Sequence, residues 1–533
     1  MDNRRIWSAL ALSMAFFFLY QQLVLKRYAR PRPDGSSASA PAAPSTPAAP
    51  SSPRPASEGP SSPLVAAPAS AFAAPEGDAR VVVVDTETLR LGITEAGARL
   101  VSVELKAYRR TVGSDNAALD LVDRKDILPG TLDLGNGVTD AAIRYRADRD
   151  ALTVAPGSHG EVVFTGDAPG GLKVQKRFAF DGSGNLFRLA VSAAGDHVPT
   201  SAGLLMTALP KTGPQDSAVA LSGRKLVEQY VKSLDSKPVD VPTARWGGFA
   251  TQYFLAVAIP ESEGPVRTGV LDGTAGIVVQ APLAATRAAT FDVYAGPKER
   301  QTLAAANHDL GEAVNYGMFW FIALPLLEAL RLLHRVTGNY GVNIIILTVM
   351  VKLVTLPLTR ASFKNMREMQ RIQPQMAKIR ERFKDDQQEM QREMMELYKR
   401  HKVNPFAGCL PMLLQFPILL GFYSALSHAI ELRHAPFALW INDLSAPDRL
   451  SVMGLGVPVL TLLMGGSMLL QTWMTPAQGD PTQQRMMMVM PLIFTFTFIN
   501  MPSGLVLYWL VSNVLSVAQQ YWMMRDYRPA PTG

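Results

Sequence analysis

From Asn343 to its end the chain is dominated by apolar runs, at 343–359, 409–430, 452–475, 486–500 and 504–524. About 20 apolar residues at a rise of about 1.5 Å each cross the ~30 Å hydrocarbon core of a bilayer. Five such runs in close succession cannot all be buried in one water-soluble core, so this part reads as a bundle of membrane helices. Two of these runs are short, and 486–500 covers only ~22 Å at helical rise, which calls for local thinning of the bilayer or helix ends buried among neighbours. A sixth run, Ile6–Leu25, holds twenty residues without a charge. It is a signal peptide or an uncleaved anchor. Its length, and LKRYAR in place of a small-residue cleavage site, favour an anchor over residues 1–28. The composition of the 533 residues agrees, with 48% hydrophobic and 18% charged.

The remainder belongs in water. Residues 29–78, as in SSASAPAAPSTPAAPSSPRPAS, are rich in Pro, Ala and Ser and cannot bury a core, so they read as a tether. From 79 to 300 short β-rich runs alternate with Gly, Asp and Pro turns: RVVVV, GEVVFTG, LKVQKRFAF, NLFRLAVSA, YFLAVAI, GIVVQA and ATFDVYA. Strands without intervening helical periods predict a large β-sandwich. Residues 301–342 follow as a linker with an amphipathic segment, GMFWFIALPLLEALRLLHR. Its late charges, Glu328, Arg331, His334 and Arg335, suit an interfacial helix better than a further span.

Charge sets the orientation. Between Arg360 and Lys402 twelve Lys or Arg stand against seven Asp or Glu, +5 of the chain's +7. The positive-inside rule makes this loop cytoplasmic. Counting outward, both termini are cytoplasmic and the sandwich lies on the far side. Lys26, Arg27, Arg30 and Arg32 after the first span oppose this local count, but long domains translocate largely regardless of flanking charge. Within 360–404, Phe363, Met366, Met369, Met376, Ile379 and Phe383 recur at helical spacing, and Met390, Met394, Leu397 and Tyr398 continue the pattern. They predict a two-helix hairpin with a packed seam. A methionine-rich surface could also adapt to varied apolar partners, and its basic residues could touch anionic lipid heads.

Known chemical signatures do not turn up. A single cysteine, Cys409, excludes an intrachain disulfide. There is no zinc-type Cys/His spacing, HExxH, GxSxG or GxxxxGK[ST], and His159, His197 and His308 have no motif partners. No enzymatic activity, cofactor or metal is expected.

One residue breaks the apolar pattern. Lys352 sits in IIILTVMVKLVTLPL, about midway through its span. A lysine at mid-membrane costs about 2.5–3.5 kcal/mol on insertion scales, and no Asp or Glu stands within another span to pair with it. A hydrated cavity open to one side explains it. Thr348, one turn earlier, shares its face, and Gln415, Asn500, Ser512, Asn513 and Gln519 could supply further polar lining. Each alone would otherwise be an interhelical hydrogen bond. The missing carboxylates and the lack of visible inverted repeats count against the alternative, an ion- or solute-coupled transporter.

Three long segments carry a resemblance: NPFAGCLPMLLQFPILLGFYSAL, ELRHAPFALWINDLSAPD and FINMPSGLVLYWLVSNVLSVAQQ. Through about residues 315–525 the chain resembles the YidC/Oxa/Alb family of membrane protein insertases. RWGGFATQYFLAVAIP and TFDVYAGPKE resemble the periplasmic domain of that family's Gram-negative YidC branch. The resemblance implies a polytopic α-helical membrane protein of six spans, five of them a conserved core, with a large periplasmic β-sandwich. It implies insertion and folding of bacterial inner-membrane proteins, alone or with the SecYEG translocon, through a hydrophilic groove. The implied partners are nascent membrane proteins and lipid, with the ribosome or the signal recognition particle receptor at the cytoplasmic loops and tail, and no nucleic acid as substrate. The family's groove cation falls on Lys352, where arginine is usual; lysine keeps the charge and loses the planar five-donor fork. Its groove threonine falls on Thr348. Its aromatic in the last span, commonly tyrosine, falls on Trp509, beside Tyr508. Gln415 and Asn513, read above from the residues as polar lining, complete the candidate groove. The sandwich also resembles sugar-binding mutarotase-like folds, a likeness of fold that carries no activity.

Overall fold

The computed structural model describes Phe72 and residues 79–524, apart from short gaps at 113–116, 124–125, 136–137, 169–170, 196–197, 212–215, 272, 284–287, 402, 404–409 and 475–480. The expected anchor, nearly all of the tether, His197 and Cys409 lie outside the described residues.

Between Val81 and Pro297 the described chain forms three sheets, one of nine strands and two of five. Neighbouring strands are antiparallel except Val81–Asp85 against Ala151–Thr153. The alternation read in LKVQKRFAF is the two faces of strand Leu172–Asp181: Leu172, Val174, Lys176, Phe178 and Phe180 point into the core and Lys173, Arg177 and Asp181 into solvent. One inward residue is a lysine, and its surroundings are wholly protein. Strand Phe254–Pro260 is different, being buried at every position. Phe254, Ala256 and Ala258 join the core between the sheets, while Leu255, Val257 and Ile259 join a second core that runs into the helical region. The near-continuous apolar run FLAVAIP is therefore the mark of a strand covered on both sides.

Eight helices follow among the described residues: α1 Arg300–Ala305, α2 Trp320–Thr337, α3 Tyr340–Arg382, α4 Gln387–Arg400, α5 Leu410–His428, α6 Val459–Met474, α7 Pro481–Phe498 and α8 Ser503–Met524. Gly338, at φ 67°, ends α2 in the left-handed conformation that glycine adopts without steric cost. Asn339 then caps α3, its Oδ1 accepting from the N–H groups of Gly341 (2.9 Å) and Val342 (3.2 Å). The TGNYG turn is thus a helix stop and a helix start. By length and hydropathy α3 can cross a membrane, and α6 and Met488–Phe498 are shorter apolar helices.

Two features differ from the sequence reading. The 343–359 span and the first arm of the hairpin are one helix of 43 residues, α3, which continues through Pro357 and Pro374. Its outer part packs against α4 through Met369, Ile372, Met376, Leu397 and Val403, with Ile379, Met394 and Tyr398 alongside. The expected span 452–475 does not start as a helix either. A two-stranded hairpin, Leu450–Val452 with Leu455–Val457, occupies its head, and α6 begins only at Val459. Apolarity alone does not separate a short strand from a helix segment.

The sandwich is fastened to the helices. Arg331 on α2, with its side chain 14% exposed, donates to Glu299 beyond the last sandwich strand (3.1 Å) and to Glu431 after α5 (2.6 Å), with Glu328 at 3.4 Å. The Nε2 of Gln252 donates to the Ser427 carbonyl (2.9 Å), and Arg433 donates to the Arg110 carbonyl (3.3 Å) while lying over the Phe254 ring. Arg331, expected at a lipid surface, thus turns inward. Apolar Leu332 and Val336 remain exposed on α2.

Helix α6 lies close against α7 at Gly465, where an added Cβ would stand 2.2 Å from the Thr495 hydroxyl, whereas at neighbouring Gly466 it would meet nothing within 4 Å. Small residues let membrane helices approach this closely. Gly465→Leu is therefore expected to destabilise the bundle by about 1–3 kcal/mol through overpacking, and Gly466→Leu to be near neutral. Thermal unfolding of the two variants in detergent checks this; equal midpoints would contradict the close contact.

Candidate functional site

Lys352 emerges from α3 toward α8. Its Nζ donates to the Ser516 hydroxyl at 2.8 Å, its one hydrogen-bond partner among the described residues, and no carboxylate there pairs with it. Ser516 in turn donates to the Ser512 carbonyl at 2.8 Å. The Nε2 of Gln415, on α5, donates to the Tyr508 hydroxyl (2.8 Å) and to the Ser512 hydroxyl (3.2 Å). Tyr508 stacks on Phe422 of α5, with ring centroids 3.9 Å apart. Three helices therefore meet along a polar seam made of Lys352, Ser516, Ser512, Gln415 and Tyr508.

Helical geometry makes the seam. Tyr508, Ser512 and Ser516 stand four residues apart, so they stack on one face of α8. Trp509 and Asn513 are each one residue further on, turned by about 100° onto another face. Trp509 packs against Phe494 and Phe498 of α7, at 5.4 and 4.9 Å between centroids. Asn513 donates to Ser467 of α6 at 3.1 Å. Thr348 is buried and donates to its own helix at the Ile344 carbonyl, 2.6 Å. Of the six residues singled out, Lys352, Gln415 and Tyr508 come together. Trp509 and Asn513 serve the side of α8 that faces α6 and α7, and Thr348 is satisfied within α3. The aromatic side chain that faces the cation's seam is Tyr508 and not Trp509. Asn500 is placed elsewhere, accepting from Arg449 at 2.9 Å beyond the end of α7.

Sequence reasoning does not single out Ser516 or Ser467. The signal for Ser516 is the i, i+4, i+8 polar stripe of Tyr508, Ser512 and Ser516, which the more conspicuous amide side chains nearby obscure. In the sandwich, His159 meets Asp181 at 2.5 Å and His308 lies 3.5 Å from Asp292. Strand register brings the first pair together across a hairpin, which no short motif records. No group of three or more metal-ligating side chains occurs among the described residues.

Comparisons with known proteins show which family the chain belongs to. Residues 81–329 match the family profile described as YidC periplasmic domain, and residues 332–530 match that described as 60Kd inner membrane protein. The membrane protein insertase YidC of Geobacter sulfurreducens is 39% identical, over 84% of this chain and 86% of its own. That of Syntrophus aciditrophicus is 34% identical over 99% of this chain and 100% of its own. Among solved structures, the crystal structure of an active YidC insertase with its first transmembrane domain resolved aligns over 85% of this chain and 95% of its own, at 19% identity and a TM-score of 0.38. With relatives at this identity over most of both lengths, the chain belongs to the YidC family of membrane protein insertases, and combines that family's β-rich periplasmic domain with a helical C-terminal region.

Proposed function

We propose that this protein inserts and folds proteins of the bacterial inner membrane, and that the seam at Lys352 receives the polar segments of a client on their way across. Family membership supports the activity, and the alternative of ion- or solute-coupled transport draws no support from it. The observation that carries the mechanism is the bonding of Lys352. An ammonium has three donors, and among the described residues the protein engages it with a single hydroxyl. The remaining hydrogen-bonding capacity and the charge are available to an acidic or polar segment. Such a segment loses less on leaving water for a polar seam than for lipid, where an unsatisfied polar group costs several kcal/mol. Insertion of this kind forms and breaks no covalent bond.

In the same reading the helical region, together with the N-terminal segment, makes six spans with both termini in the cytoplasm, the sandwich in the periplasm and the α3–α4 arm in the cytoplasm. The basic arm is the surface offered to a ribosome or a targeting receptor, and the membrane face of the bundle is the surface offered to a SecYEG translocon. The test is reconstitution. Purified protein in liposomes is expected to insert a small single-span client in a protease-protected topology that empty liposomes do not yield, with no accompanying flux of small solutes. Solute flux without client insertion would overturn the reading.

A further inference from the structure

The hairpin that replaces the head of the expected 452–475 span has an unusual surface. Its register pairs Leu450 with Val457, Ser451 with Gly456 and Val452 with Leu455. Directly opposed residues share a face and alternate pairs swap faces. One face is thus wholly apolar (Leu450, Val457, Val452, Leu455) and the other holds only Ser451 and Gly456. At the outer end of the apolar face Val452 is 45% and Leu455 72% exposed, and Met453 at the tip is 100% exposed. Met453 and Gly454 both have positive φ, 52° and 82°, a turn that favours Asn, Asp or Gly at its first position. A methionine there is conformationally costly as well as bare. Two three-residue strands alone are marginal in water.

Two observations say what covers this face. First, from Leu450 to Met474 the chain carries no charged residue, so hairpin and helix form one uncharged stretch. Second, the charges stop at the hairpin's foot. Asp448 accepts from the Leu460 N–H at the start of α6 (2.5 Å), and Arg449 donates to the Ile499 carbonyl (2.8 Å) and to Asn500 (2.9 Å) in the turn between α7 and α8. The foot therefore lies level with the ends of α6 and α7, and close to those ends the two helices expose Leu462, Leu463 and Phe496.

We propose that the Leu450–Val457 hairpin is a membrane anchor, its apolar face and the Met453 tip lying among the lipid acyl chains of the leaflet on the sandwich side. The side follows from the loop that precedes it, which is tied to the sandwich through Glu431 and Arg433. It fixes how deep the α6 end of the bundle sits, independently of what the Lys352 seam does.

The experiment is depth-resolved quenching on the full-length protein in phosphatidylcholine vesicles. With Cys409, the single cysteine, replaced by serine, an environment-sensitive fluorophore is attached through Leu455→Cys, Val452→Cys or Ser451→Cys. Lipids brominated on their acyl chains are expected to quench the Leu455 and Val452 labels at least twofold more than the Ser451 label, and aqueous iodide to show the reverse order. Strong iodide quenching of the Leu455 label, equal to that at exposed Val138→Cys in the sandwich, would overturn the proposal. So would a Leu455 label reached by neither quencher, which would mean that a protein surface such as a second copy covers the face. The readout does not depend on insertion activity, so its failure and a failure of the insertase reading are separate results.

Discussion

Replacing Lys352 with glutamate is expected to slow insertion of an acidic-tailed single-span client by tenfold or more, while Lys352→Arg stays within about threefold of the wild type. The magnitude follows from electrostatics. Two unit charges 4 Å apart interact by about 4 kcal/mol at an effective dielectric constant of 20, and a tenfold change in rate needs only about 1.4 kcal/mol. Even a largely screened attraction in the seam therefore suffices, and glutamate turns it into repulsion. Lys352→Ala removes the charge and leaves the Ser516 hydroxyl to its other bond, to the Ser512 carbonyl, so folding should survive. Its effect should lie between those of arginine and glutamate. A client whose acidic residues are changed to amides is the control, and the wild type and Lys352→Ala should insert it at nearly the same rate. Rates are read by protease protection in proteoliposomes, after each variant is matched to wild type in thermal midpoint. If Lys352→Ala inserts the acidic client as fast as wild type, the cation is dispensable, and the seam works through its hydroxyl and amide groups alone.

How far the sequence reaches depends on whether periodicity carries the information. The sandwich is legible because its strands alternate, and strand Phe254–Pro260 is legible as doubly covered because it does not. The α3–α4 seam is legible from the spacing of Met369, Met376, Leu397 and Tyr398. The cation is legible because one charge in an apolar span needs a reason. Which face each polar residue of α8 presents is harder to read. Tyr508 and Trp509 are adjacent in sequence and about 100° apart around the helix, and only the packing of α3, α5 and α7 around α8 says which faces the cation. The hairpin at Leu450–Val457 is hidden because strand and helix are equally apolar there. The sharper signals are Met453-Gly454 as a turn and Pro458 as the residue before a new helix. The Arg331 cluster joins Glu299, Glu328 and Glu431 across more than a hundred residues, a distance over which a single sequence has no pattern to offer.

Lys176 and Lys352 both stand in apolar surroundings, and their bonding separates their roles. Lys176, on the inward face of its strand, is fully buried, 2.6 Å from Asp140, and donates to the carbonyls of Gly97 (2.7 Å), Gly130 (2.8 Å) and Ala98 (3.3 Å). Burial pulls its ammonium below the usual lysine range, and Asp140 opposes that pull. Asp140 also accepts from the Leu132 N–H (2.7 Å) and the Tyr145 hydroxyl (3.1 Å), so the pair sits in a filled network that ties three segments of the sandwich together. Where Lys352 keeps one protein partner among the described residues, Lys176 has every donor occupied, which marks it as structural. Lys176→Met is accordingly expected to destabilise the sandwich by about 3–5 kcal/mol, because it strands a buried carboxylate and two closely held carbonyls. In a domain of this size that is a fall of roughly 6–20 °C in melting midpoint. Combining it with Asp140→Leu should recover part of the loss, because the carboxylate is no longer stranded, but not all of it, because buried Arg99 then loses its nearby counter-charge. Thermal melts of the full-length protein in detergent, followed by the β-sheet circular dichroism signal, give the three midpoints needed. An unchanged midpoint for Lys176→Met would mean that the pair contributes nothing net. A double variant as unstable as the sum of the singles would mean that the two residues act through separate partners and not through each other.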